Sequence, residues 1–325
     1  SDVSGIYIAF RHQFFIELTL VVLHSSSKQN INRAMSKKSV IVTRFAPSPT
    51  GHLHLGHAYS ALFAQRSAQE SGGRLLLRIE DIDQTRCRPA YEAAVLNDLA
   101  WLGLTWEKPV RRQSDHMADY QAALIKLDEM GLIYPCFCSR KEIHAEIMRI
   151  NEAPHDATAD KRGPVYPGTC RRLYQDDRNM RIAAGDPYAL RLNMQKAIYL
   201  AEQKRKHLTW VDLDRGGQRA TPEVFGDVVL ARKDEPTSYH LSVTVDDAVQ
   251  GINLITRGED LRDVTHVHCL LQALLDFDTP DYRFHRLLTD SEGKRFAKRD
   301  KSLTLQTLRG EGKTLADVKA LVEWA

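Results

Sequence analysis

The chain has 325 residues, 43% hydrophobic and 27% charged, with a formal net charge of +3; this suits a globular protein with a sizeable core in one large or two moderate domains. The mild positive excess permits an RNA partner without arguing for one. Five cysteines, an odd number, and no compact secretory signal exclude a disulfide framework and point to a reducing, cytoplasmic compartment.

Residues 1–34 read as an N-terminal extension outside the core. The apolar stretch from Ile6 to Leu23 is broken by Arg11, His12 and Glu17, so no membrane span is expected. The natural start is expected at Met35. A buried strand follows over Val40–Phe45, short and rich in β-branched residues. Pro47, Pro49 and Gly51 interrupt regular structure, and a helix is predicted from Ala58 to Ala68. Gly72 and Gly73 end it before a second strand, Leu75–Ile79. Helices are predicted at Ala90–Leu102 and Asp119–Met130. Strands alternating with helices of crossover length imply a parallel α/β sheet. From Tyr134 the chain changes character: three of the five cysteines, a polar helix near Arg140–Ile150 and a Pro-, Asp- and Gly-rich loop read as an insertion over 134–188. Strands are expected again at Ala189–Leu192, Val228–Leu230, Tyr239–Val245 and Leu254–Thr256. A helix at Val264–Leu275, a basic loop at Gly293–Lys301 and a final helical stretch near Leu315–Trp324 complete the chain. The division is thus 1–34, 35–133, 134–188, 189–300 and 301–325.

Pro47–His57 reads PSPTGHLHLGH at the point where a strand end meets a helix start. Open α/β sheets bind nucleotides there, because the helix N-terminus offers unpaired N–H groups and a positive dipole end. Gly56 allows close approach of the backbone to a ligand. His54 and His57, three apart, share one face of the first turn and can donate to a phosphate as charge grows on it. Taken alone, H-x-x-H more often marks a solvent-facing turn.

HLGH resembles the HIGH signature of class I aminoacyl-tRNA synthetases, and Arg44–Gly51, RFAPSPTG, resembles the glutamyl and glutaminyl branch of that class. The resemblance runs over nearly all of 40–325. It implies a Rossmann-like parallel sheet with a zinc-containing insertion and a short C-terminal helical segment. It also implies that Arg44, Ala46 and Ser48 hold glutamate, the guanidinium suiting a carboxylate through paired planar donors. Glu80, in the acidic strand end Arg78–Arg86, is implied at the amino group. Asp81 and Asp83 are expected to cap and to pair with Arg86 and Arg88. Tyr239 and Arg257, in segments resembling the family's Y…VDD…RGEDL, are implied to complete the glutamate pocket; read alone, they suit a half-buried strand aromatic and a salt bridge to Glu259 or Asp260. ATP is assigned to His54, Gly56, His57 and Lys298, with Mg²⁺ on its phosphates. Lys298 lies in Arg295-Phe296-Ala297-Lys298-Arg299, which stands where the family has KMSKS or KLSKR; Ala297 replaces the serine. The catalytic groups implied are His54, His57 and Lys298.

Cys136-x-Cys138 followed by Cys170 begins a tetrahedral metal site. By position, His144, His155 and Tyr166 are all candidates for a fourth ligand. The resemblance to glutamyl-Q tRNA(Asp) synthetases, which carry C-x-C and then Y-x-x-x-C, favours Tyr166. Cys87 and Cys269 are expected to be buried thiols. The chain stops about 25 residues after the basic loop, leaving no room for the anticodon-binding region of the full-length glutamyl enzymes. The resemblance therefore implies activation of glutamate by ATP and transfer to the queuosine base of tRNA(Asp). The alternatives are a catalytic fragment of an ordinary glutamyl enzyme and a nucleotidyltransferase of the H-x-G-H type.

Overall fold

The protein is described by a computed structural model covering residues 40–151, 165–288 and 304–324. The expectations for residues 1–34, His155 and the basic loop 293–301 lie outside these residues.

In chain order the elements are β1 (Val42–Phe45), α1 (Leu55–Gln69), β2 (Arg74–Ile79), α2 (Pro89–Trp101), β3 (Glu107–Arg112), α3 (Met117–Glu129), β4 (Ile133–Cys136), α4 (Arg140–Asn151) and α5 (Gln175–Ala183). Then come β5 (Ala189–Leu192), α6 (Met194–Lys204), β6 (Thr209–Asp212), β7 (Gly216–Arg219), β8 (Val229–Ala231), α7 (Tyr239–Val249), β9 (Leu254–Gly258), α8 (Thr265–Leu275), β10 (Asp281–His285), α9 (Leu305–Gly310) and α10 (Leu315–Leu321). Gln175–Pro187, with α5, falls outside the compact unit formed by Val40–Tyr174 and Tyr188–Ala325.

Two sheets carry the parallel α/β architecture. One has the order β1-β2-β3, all parallel; the other runs β7-β6-β10-β9, parallel except for the β6–β7 hairpin. Asn253 joins them: its amide N–H donates to the Val42 carbonyl, and its side chain accepts from the Val42 N–H at 2.8 Å. A third sheet, β4-β5-β8, is antiparallel.

The period-2 alternation of a strand sorts side chains onto two faces. On β2, Leu75, Leu77 and Ile79 enter one apolar cluster with α1, α2, α9 and α10, while Leu76 packs against the other, built on α3, α6, α7 and α8. Helices thus cover both faces, as parallel sheets require. The same alternation places Arg44 on the face of Val42, and Arg78 on the face of Leu76. Both arginines therefore point toward α7.

The expected strand at Tyr239–Val245 is instead the helix α7. Val243, Thr244 and Val245 favour strands locally, yet Leu241 to Asp247 are buried without a break. A helix enclosed by other elements loses the one-sided pattern that betrays it, so packing overrides propensity. The expected final helical stretch near Leu315–Trp324 is α10, and a further short helix, α9, precedes it.

Candidate active site

The site residues gather at the carboxyl ends of β1, β2 and β9, where open parallel sheets bind ligands. His54 caps α1: its Nδ1 accepts from the Gly56 N–H at 3.0 Å. The Nδ1 of His57 in turn accepts from the His54 N–H at 3.1 Å, and the two ring centres lie 3.8 Å apart. With both Nδ1 atoms accepting, the neutral rings carry their protons on Nε2. The helix entrance thereby fixes two imidazoles as Nε2–H donors. Gly56 is needed for this: a Cβ there would lie 2.9 Å from His54 Cε1.

Beneath the sheet ends lies a buried network of arginines and acids. Arg44 donates to Asp247 at 2.8 and 3.4 Å and to the Thr256 carbonyl at 3.1 Å. Arg78, fully buried, donates to Asp247 at 2.8 Å, to Gln250 at 2.9 Å and to Glu80 at 3.2 Å. Arg111, Gln113 and Tyr120 all donate to Asp246, at 2.7, 2.7 and 2.8 Å. Burial acts to raise the Asp247 pKa, but Arg44 and Arg78 outweigh it and hold the carboxyl below its ordinary range. At Glu80 the balance reverses: burial wins over Arg78 and Arg44, and the pKa rises. Burial likewise raises the pKa of Tyr239, and the fields of Arg257, Glu80, Arg44 and Asp247 all reach its hydroxyl. The charged groups expected around glutamate, Arg44, Glu80 and Arg257, thus all lie within electrostatic reach of Tyr239.

Arg257 differs from the other arginines. It is 5% exposed, yet among the described residues no carboxylate pairs with it. Its Nη1 meets His268 Nδ1 at 3.2 Å, its Nη2 donates to the Thr265 hydroxyl, and its Nε has no partner. The expected bridge to Glu259 or Asp260 does not form; Glu259 pairs with Arg215 and Arg262. A buried guanidinium held only by neutral acceptors can receive an anion.

Away from this site, the sulfurs of Cys136, Cys138 and Cys170 lie within 4.8 Å of one another. The Tyr166 hydroxyl is 3.4 Å from Cys136 Sγ and 3.6 Å from Cys138 Sγ. Around a tetrahedral zinc, ligand sulfurs stand about 3.8 Å apart for Zn–S bonds of ~2.3 Å, so three sulfurs and one phenol oxygen fit that ion. The neighbouring Cys136 lowers the Cys170 thiol to about 6, while burial raises the Tyr166 phenol. Of the candidate fourth ligands, His144 is not part of this cluster.

The family profile described as "tRNA synthetases class I (E and Q), catalytic domain" matches residues 40–319. The chain belongs to that family. It is 46% identical over 288 residues to the glutamyl-Q tRNA(Asp) synthetase of Rhodobacter capsulatus, covering 87% of this chain and 99% of the relative. The Symbiobacterium thermophilum protein of the same name is 40% identical over 277 residues, covering 83% and 81%. Among solved structures, the glutamate-tRNA synthetase of Elizabethkingia anophelis superimposes with a TM-score of 0.66 at 26% identity. That match covers 81% of this chain, which spans 53% of the length of that longer protein.

Arg44, Glu80, Tyr239 and Arg257 come together, and His54, Gly56 and His57 form the α1 entrance. Ala46 is half-buried and Ser48 exposed on the loop between. Arg295, Phe296, Ala297, Lys298 and Arg299 lie outside the described residues. Three local expectations need correction. Arg88 bonds the Gln84 and Cys87 carbonyls rather than Asp81 or Asp83. Asp81 accepts from the Ser114 N–H and hydroxyl, while Asp83 does pair with Arg86. Cys269 is buried, but Cys87 is only half-buried. Asp246 and Asp247 are the two acids of the Val-Asp-Asp run, and the residues alone give no role to their partners Arg78, Arg111 and Tyr120, or to Thr265, His240 and His268 around Arg257. One signal was available: two adjacent acids at the end of an apolar run must find buried cations.

Proposed function

We propose that this synthetase activates L-glutamate with ATP and transfers the glutamyl group to the queuosine base in the anticodon of tRNA(Asp). The observation that carries the reading is the uncompensated Arg257 beside Tyr239, Arg44 and Glu80. A dicarboxylic amino acid needs cations and an anion together, and this pocket offers both. Glu80 takes the ammonium group, Arg257 and Tyr239 take a carboxylate, and Arg44, its charge already met by Asp247, lends only the N–H groups left over from Asp247 and Thr256. A carboxylate oxygen attacks the α-phosphorus of ATP, and the bond to pyrophosphate breaks. The Nε2–H groups of His54 and His57 donate to the phosphate oxygens as negative charge develops. By the family resemblance Lys298 would add a cation, and Mg²⁺ entering with ATP would supply charge neutralisation of its phosphates. A hydroxyl oxygen of the modified base then attacks the acyl carbon, and AMP leaves.

The names of relatives covered to between 81% and 99% of their length support the queuosine acceptor. Charging with radiolabelled glutamate tests it, using tRNA(Glu) and both queuosine-bearing and queuosine-lacking tRNA(Asp). Label is expected only on the queuosine-bearing species and should survive removal of the 3′-terminal adenosine. Label on the 3′ end of tRNA(Glu) would overturn this reading in favour of an ordinary glutamate–tRNA ligase, the activity named for the Elizabethkingia structure.

The reading includes a structural Zn²⁺ on Cys136, Cys138, Tyr166 and Cys170, within an insertion over 134–188. The ion would cross-link β4 to the turn carrying Cys170. Metal analysis of purified protein should give about one equivalent of zinc, lost in Cys170→Ser and held more weakly in Tyr166→Phe. A zinc-free protein of full stability and activity would remove the ion, and undiminished binding in Tyr166→Phe would remove the phenol from its ligands.

A further inference from the structure

Resting on the glutamate reading of the pocket, we infer that His268, backed by His240, is a positioning residue that aims Arg257 at an amino-acid carboxylate without neutralising it. His268 belongs to no motif from which that pocket is read.

The geometry fixes the direction of the hydrogen bonds. A guanidinium can only donate, so His268 Nδ1, 3.2 Å from Arg257 Nη1, must accept. The neutral ring then carries its proton on Nε2, which stands 3.3 Å from His240 Nδ1. His240 accepts in turn and keeps its own proton on Nε2. The chain runs one way, from Arg257 through His268 to His240. Reversing any ring would set donor against donor.

The ring must also stay uncharged. Burial, and after it the field of Arg257, pushes His268 well below the ordinary histidine range and His240 to about 4. Both are neutral at physiological pH. Thr265, the second acceptor on Arg257, is neutral as well. A carboxylate in the place of His268 would hold the guanidinium equally well, but would also offset its charge, as the shared Asp247 does in part for Arg44 and Arg78. The imidazole orients the cation and leaves its charge for the ligand.

Asparagine and aspartate at position 268 separate the two parts of the claim, because they are isosteric acceptors that differ in charge. Pyrophosphate exchange with wild type, His268→Leu, His268→Asn and His268→Asp gives the KM for glutamate and for ATP. Leaving a buried charged donor without its acceptor typically costs roughly 10–100-fold, so His268→Leu should raise the glutamate KM by that factor and leave the ATP KM near wild type. His268→Asn should recover most of the loss, and His268→Asp should not. Equal glutamate KM values for Asn and Asp variants would overturn the charge argument. An unchanged KM in His268→Leu, or equal losses toward both substrates, would overturn the positioning role. ¹⁵N-histidine NMR of the wild-type protein gives a check that survives any folding defect in the variants: His268 should show an unprotonated Nδ1, and a protonated Nδ1 overturns the proposal. Arg257→Met keeps the two readings apart. If it leaves the glutamate KM unchanged, the pocket reading fails; if it raises that KM while His268→Leu does not, only the present inference fails.

Discussion

Arg44 and Arg78, on one side, and Arg257, on the other, are buried arginines on parallel strands of the same protein, yet their surroundings are opposite. Asp247 sits between the first two at 2.8 Å from each, and Arg78 also meets Glu80. Arg257 has a histidine, a threonine hydroxyl and an Nε without a partner. A buried cation costs free energy unless compensated. The first region settles that cost within the fold and so acts as a structural joint, tying β1 and β2 to α7. The second leaves it unsettled until an anion arrives, which marks a binding site. Burial and residue type alone would not separate these arginines; their counter-ions do.

The largest test removes the shared counter-ion. Asp247→Asn should destabilise the fold by about 3–5 kcal/mol, the usual consequence of breaking a buried pair, as measured by denaturant unfolding. A loss below about 1 kcal/mol, within the range of an exposed pair, would dissolve the distinction. Arg257→Met should do the reverse. Its unfolding midpoint should equal or exceed that of wild type, because an uncompensated buried charge is gone. Its glutamate KM should rise by the equivalent of about 2–5 kcal/mol. A midpoint depressed as far as that of Asp247→Asn would show Arg257 to be structural.

Glu80 stands between the two regions and supplies the smallest test. It must be anionic to hold an ammonium group, and burial raises its pKa. Below that raised value it is protonated and the amino acid is held less well. The glutamate KM should therefore climb, as pH falls, at a higher pH than an ordinary carboxylate would allow. Glu80→Gln should raise the KM at neutral pH and flatten this acid limb. A limb that persists in Glu80→Gln assigns the titration to another group.

The strand–loop–helix around Pro47–His57, the acidic strand end at Glu80 and the cysteine spacing could all be read from the residues, because each is local. A proline-rich loop, a histidine pair in the first turn and a C-x-C step carry their geometry within a few positions. The helix α7 could not be read, since Val243, Thr244 and Val245 favour a strand until enclosure on all sides decides otherwise. Nor could Asp246 and Asp247 be matched to Arg111, Arg44 and Arg78, which lie more than 130 positions away in the chain. By itself the sequence determined which residue types stand at the strand ends and in what order. Only the tertiary structure decided which arginines are neutralised, because charge compensation depends on distance in space, and the partners come from elements that sequence proximity does not connect.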